Sequence, residues 1–246
     1  MDHAPFKRSA ALRTLNVVVA GIAAALPCAA QVSVELTPVV GVYAPTSATI
    51  WPRSDFACWH MDLGIGVPDF CRYPTMRQQA SPAVGGRITA WLNNRAGIDL
   101  SLAYSRSRAT GLTPGISLRD TSASIVLGSA RVLFNVTPRM VRTSFSVGAG
   151  VSLVAHGGDA YAALNAYRLG YGLNDLNGST GWGPVVGIVA RFMLAPALAI
   201  RADLEDHHYR ISGGGFQNDV LFSLGLSATL VGRPASKTEA QAKPPN

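Results

Sequence analysis

Residues 198–230 read LAIRADLEDHHYRISGGGFQNDVLFSLGLSATL, two alternating runs separated by a glycine-rich break. In the first, Leu198, Ile200, Ala202 and Leu204 oppose Arg201, Asp203 and Glu205. In the second, Val220, Phe222, Leu224, Leu226, Ala228 and Leu230 oppose Ser223, Gly225, Ser227 and Thr229. Side chains of period two stand on opposite faces of a β-strand, so each run predicts a strand with one apolar and one polar wall. The runs Leu198–Tyr209 and Asp219–Leu230 are each about twice as long as the roughly five or six residues usual in soluble sheets. They match the span of roughly nine to eleven residues that a tilted strand needs to cross a bilayer.

Outward from this pair, the same pattern recurs at Val32–Tyr43, Ala83–Leu92, Ala96–Ser105, Ala123–Val136, Thr143–Val154 and Val185–Met193. The connections alternate in length. Ala44–Pro82, Arg106–Ser122, Ala155–Pro184 and Arg210–Asn218 are long, whereas Asn93-Asn94-Arg95, Thr137-Pro138-Arg139 and Leu194-Ala195-Pro196-Ala197 are short. A β-sandwich has no reason to keep every second connection tight. The pattern predicts an all-β fold: an eight-stranded antiparallel up-and-down transmembrane β-barrel with long extracellular loops and short periplasmic turns. On the apolar faces Tyr104 and Phe222 fall at the outer ends of strands and Phe134, Phe145 and Phe192 at the periplasmic ends, as in two interfacial girdles. A charged content of 14% with 25 glycines in 246 residues suits a single β domain.

The last strand carries the most local signal. Ser223-Leu224-Gly225-Leu226-Ser227-Ala228-Thr229-Leu230 resembles the assembly signal of the small outer-membrane β-barrel superfamily, the eight-stranded class of OmpA-like, OmpX-like and OmpW-like barrels. The resemblance covers about Val32 to Leu230. It implies insertion by the barrel-assembly machinery and residence in the bacterial outer membrane. The chain departs from the pattern in ending the strand on Leu230 rather than an aromatic residue, and in continuing for residues 231–246.

Three segments follow. Residues 1–30 read as a signal peptide: Lys7, Arg8 and Arg13 precede the apolar stretch Leu15–Leu26, and Cys28-Ala29-Ala30 supplies small residues before Gln31. Leu15–Leu26 falls short of the roughly 20 residues of a membrane helix. Residues 31–230 form the barrel, and the Lys-, Pro- and Ala-rich residues 231–246 read as a disordered periplasmic tail. Cleavage would leave Cys58 and Cys71 as an even pair in an oxidising compartment, which predicts a disulfide; closing that loop is worth about 3 kcal/mol in the chain-entropy model. The formal charge of +7 on an exported chain points to outer-membrane lipid and lipopolysaccharide as partners, and away from nucleic acid.

The inward parity collects Glu35, Arg87, Asp99, Arg131, Arg191, Arg201, Asp203 and Glu205, four cations and four anions. An eight-stranded barrel is just wide enough for side chains to fill it. A packed ion-pair network without an open pore is therefore expected, with a narrow solute or ion path as the alternative. In the long connections Trp51, Trp59, Tyr73, Tyr161, Tyr167, Tyr171 and Trp182 stand near Arg53, Arg72 and Arg168. This composition suits either a surface for an extracellular ligand or partner, or loops packed on one another.

Glu205, His207, His208 and Ser212 cluster at the end of the seventh strand. Some eight-stranded outer-membrane proteins modify lipid A with His and Ser near the outer leaflet, but His207-His208-Tyr209-Arg210-Ile211-Ser212 does not reproduce the His-x-Ser-Asn-Ala stretch of such deacylases. No catalytic residue is assigned. No metal, cofactor or phosphate-binding motif occurs either, and His60, Asp55 and Asp62 are merely close in sequence. The expectation is a structural or surface-interaction protein of the outer membrane.

Overall fold

The computed structural model describes residues 32–46, 49–50, 75–113, 116–139, 141–170, 180–211 and 216–231. The segment read as a signal peptide, the tail beyond 231, Cys58 and Cys71, the loop residues Trp51, Trp59, Tyr73 and Tyr171, and Ser212 all lie outside the described residues.

Among the described residues, ten strands and one helix run in the order β1 (Ser33–Pro45), β2 (Thr49–Ile50), β3 (Thr75–Gln78), β4 (Ser81–Trp91), β5 (Ala96–Thr113), β6 (Ile116–Asn135), β7 (Thr143–Gly157), α1 (Asp159–Gly170), β8 (Thr180–Ala195), β9 (Leu198–Ile211) and β10 (Phe216–Val231). Eight of the strands close a ring, β1-β4-β5-β6-β7-β8-β9-β10, in which β1 pairs antiparallel with both β4 and β10. The short strands β2 and β3 extend this sheet above β5.

Closure abolishes strand edges inside the bilayer, the one β arrangement that satisfies every backbone group there. The alternation read from the sequence appears as burial. Along β9 Arg201, Asp203, Glu205, His207 and Tyr209 point into the barrel, while Ile200 and Leu204 are exposed on its outside. Leu36, Val40, Ile88, Leu102, Val132, Phe145, Val151, Ile188, Leu224 and Leu226 extend this apolar wall around the ring. An apolar exterior around a charged interior is the inverse of a soluble protein and suits lipid as the outer solvent.

The strands extend beyond the boundaries expected from pattern. The stretch Arg106–Ser122 was expected as a loop, but β5 and β6 remain paired as far as Thr113 and Ile116. Polar outward residues there obscure the alternation without stopping the hydrogen-bond ladder. Pairing of β6 with β7 stops at Ser124 and Gly157. The hairpin thus rises past the barrel wall, with a bulge where Asp120 takes a left-handed φ of 57°.

The third long connection holds α1, which is preceded by Gly158, a glycine with φ 90°. A Cβ there would lie 2.8 Å from the Ser122 carbonyl oxygen, so only glycine lets the chain turn so close to β6. The Ser122 hydroxyl donates to Asp159 Oδ2 at 2.7 Å and pins the first turn of the helix to β6.

Candidate functional site

The lumen is filled by three layers of polar side chains. Nearest the periplasm, Glu35 of β1 pairs with Arg191 of β8 at 3.0 Å and with Arg139 from the turn after β6. Trp91 Nε1 and the Ser227 hydroxyl donate to its other oxygen at 3.1 and 3.2 Å, and the Arg139 guanidinium lies over the Trp91 ring.

The central layer contains three arginines and three carboxylates, all fully buried. Arg87 reaches both oxygens of Glu205, at 3.0 and 2.7 Å, and Asp99 at 3.2 Å. Since β4 and β9 are not neighbours in the ring, this fork spans the lumen rather than lining one wall. Arg131 Nη2 meets Asp99 at 2.6 Å and Asp203 and Glu205 at 3.0 Å each. Arg201 holds Asp203 at 2.8 Å and Asp99 at 3.0 Å. Thr89 donates to Asp99, and Ser129 donates to Glu205. Gly187 makes room for this layer, because a Cβ on it would lie 2.6 Å from Arg131 Nη1.

The outer layer was not anticipated from the sequence. Asp219 accepts from the hydroxyls of Tyr43 and Tyr209 at 2.9 and 2.6 Å, and His156 Nε2 lies 3.2 Å from Tyr209 Oη. His207 is buried between this layer and the central one, its Nε2 3.6 Å from Glu205 Oε2, too long for a hydrogen bond. Period-two parity along β1, β7, β9 and β10 points Tyr43, His156, Tyr209 and Asp219 inward, a signal present in the sequence.

Of the loop aromatics, Tyr161 takes the packed alternative and Trp182 falls outside the expected loop. Tyr161 belongs to no exposed surface: it is 2% exposed, stacks on His156 at 4.7 Å, and donates to Gln78 Oε1 at 3.2 Å. It packs α1 onto the outer end of the lumen filling. Trp182 lies on strand β8, not in a loop, opposite Arg210, and is 73% exposed on the outer wall. Tyr167 falls within α1. Of the residues weighed for catalysis, Glu205 and His207 are inside the barrel, whereas His208 faces outward with Nε2 3.0 Å from Asp206 Oδ2.

Among the described residues no group of three or more His, Cys, Asp or Glu side chains forms a metal-holding cluster. No helix among them is long and apolar enough to cross a membrane.

Compared with known protein families and with curated proteins, the sequence matches none. Solved structures do resemble it. The outer membrane protein OprG of Pseudomonas aeruginosa superposes with a TM-score of 0.54 at 8% identity, over 80% of this chain and 95% of that one. The N-terminal β-barrel domain of Pseudomonas aeruginosa OprF gives 0.42 at 12% identity over 80% and 97%, and Neisserial surface protein A gives 0.41 at 10% over 81% and 97%. With its closed ring of eight strands and apolar outer wall, the chain has the fold of a small eight-stranded transmembrane β-barrel, the fold it shares with OprG.

Proposed function

We propose that the protein is a non-conducting outer-membrane barrel that works as an anchor, with its extracellular end as the surface that meets a ligand, a partner or the surrounding lipopolysaccharide. The observation that carries this reading is the central ion layer: Arg87 and Glu205 join walls three strands apart in the ring of eight, and Asp99, Arg131, Arg201 and Asp203 fill what remains. A mobile ion would have to part these pairs, and leaving a buried charge unpaired costs several kcal/mol. Above this layer α1 is pinned by Tyr161 and Ser122, which further supports a plugged lumen. Export by the signal peptide of residues 1–30, assembly by the barrel-assembly machinery and a Cys58–Cys71 disulfide belong to the same reading.

Lipid modification by His207 is disfavoured by its burial, because a lipid in the outer leaflet cannot reach a side chain enclosed in the lumen. Replacing His207 by Ala is expected to leave the acylation of lipid A unchanged in the native host. The decisive experiment is conductance of the purified barrel in planar bilayers. No large stable channel is expected; steady channel openings would replace this reading by a pore.

A further inference from the structure

The outer wall of a membrane barrel should offer lipid tails nothing but hydrocarbon, yet at one place it does not. A groove of about 560 Å³ crosses the outside of β6, β7, β8 and β9. Its rows follow the strand register. Val132, Ala149, Val186 and Asp206 lie side by side, and Phe134, Val147, Ile188 and Leu204 form the next row toward the periplasm. The small side chain of Ala149 between two valines deepens the floor. Asp206 is the only ionisable residue lining the groove, and it sits at one end.

The level of Asp206 is fixed by its neighbours. It pairs with Val220, where the unbroken apolar outward run of β10 that starts at Leu230 gives way to Asn218, and a run of that length spans about the 25 Å of a barrel's apolar band. Asp206 therefore stands where acyl chains join their headgroups in the outer leaflet. From there the groove runs across the tilted strands toward Phe134 at the periplasmic end of β6, so its long axis descends into the hydrocarbon. Three inter-strand spacings of about 4.8 Å make it about 14 Å long, the scale of one acyl chain.

The polar end is incomplete. Asp206 Oδ2 is 3.0 Å from His208 Nε2, but Oδ1 is enclosed and has no hydrogen-bond partner among the described residues. An acceptor held at the top of an apolar groove calls for a donor on whatever fills that groove. Arg210 is exposed on the same face four residues beyond Asp206, opposite Trp182 and Phe216, and supplies a cation beyond the carboxylate. In order from the hydrocarbon outward, the wall thus offers an acyl slot, an acceptor, an imidazole and a guanidinium. A phosphatidylethanolamine presents these groups in the wrong order, because its phosphate is closer to the chains than its amine.

The geometry points to a specific site for lipid A, a phosphorylated glycolipid with a hydroxyl or an amide N–H at the root of its acyl chains. One chain fills the groove, the root donor meets the half-exposed Asp206 carboxylate, and a sugar phosphate meets Arg210. The inference rests on the outer-membrane reading of the chain and is independent of whether the lumen conducts.

Native mass spectrometry of the full-length protein, released from detergent after incubation with lipid A or with phosphatidylethanolamine, tests it. One lipid A per barrel is expected to survive activation that strips the phospholipid. Asp206→Ala, and Ala149→Trp which fills the groove, should each reduce the retained fraction roughly tenfold, the scale of one hydrogen bond to a charged group. Asp206→Asn, which keeps an acceptor oxygen, should retain more lipid than Asp206→Ala. Heat-modified migration on gels verifies that each variant is a folded barrel, and bilayer conductance of the same samples tests the plugged lumen separately. Equal retention of both lipids, retention unaffected by Asp206→Ala and Ala149→Trp, or a dimer of the protein in place of a lipid adduct would overturn the proposal.

Discussion

Arg131 illustrates how the barrel interior is held together. A single nitrogen of this guanidinium meets three carboxylates, and Gly187 opens the space it occupies. Arg131→Met keeps most of the volume and removes the charge, leaving Asp99, Asp203 and Glu205 with Arg87 and Arg201 only. The expected cost is about 3–5 kcal/mol, read from urea unfolding of the folded protein in detergent. Adding Asp99→Asn to that variant should restore part of the loss; strict additivity of the two changes would deny their coupling. At this scale the sequence shows which way side chains face, because parity along a strand needs only local spacing. It does not show which partners meet across the lumen, since Arg87 and Glu205 are 118 positions apart. Arg139 was missed for a related reason: it sits in a turn, where no parity applies, and still reaches Glu35.

Among the elements, α1 depends on few attachments. Gly158 turns the chain, Ser122 holds Asp159, and Tyr161 inserts between His156 and Gln78. Tyr161→Ala should speed amide hydrogen exchange in α1 by at least about tenfold while the barrel strands keep their protection; an aromatic-to-alanine change in a packed site typically costs about 3–5 kcal/mol. Unchanged exchange would mean that the helix is held by other contacts. This element was not legible in the sequence. Its stretch, DAYAALNAYRLG, lies in a connection that strand periodicity marks only as an interruption, and its seat is made by residues of three different strands. The eight strands of the ring were legible because each crosses the membrane with the same apolar-polar alternation. Their outer ends were not, because β5 and β6 leave the lipid while still paired, and apolar side chains then no longer mark the outward face.

At the scale of the whole molecule, the ring fixes which parts lie on the same side of the membrane. The turn at 92–95 and the turn after β6 share one end of the barrel, and the β5–β6 hairpin and α1 share the other. Single cysteines at Asn94 and Ser117, introduced with Cys58 and Cys71 replaced by serine, should differ in intact cells. An impermeant maleimide should label the residue at 117 and not the one at 94, and the reverse pattern would invert the orientation. The hairpin carries a second implication. Ring closure removes every free edge from the membrane, but among the described residues β6 beyond Ser124 pairs with a strand on one side only, and outward of Ser122, which Gly158 and α1 cover, the stretch from Ile116 to Thr121 presents a row of backbone groups able to recruit a strand from another chain. The bulge at Asp120 breaks the regular spacing of that row, and Arg119 and Asp120 place exposed side chains of opposite charge on it. A kinked, charged edge is a poor template for strand addition, so this stretch of open sheet is guarded against fibre-like self-association among copies crowded at the cell surface.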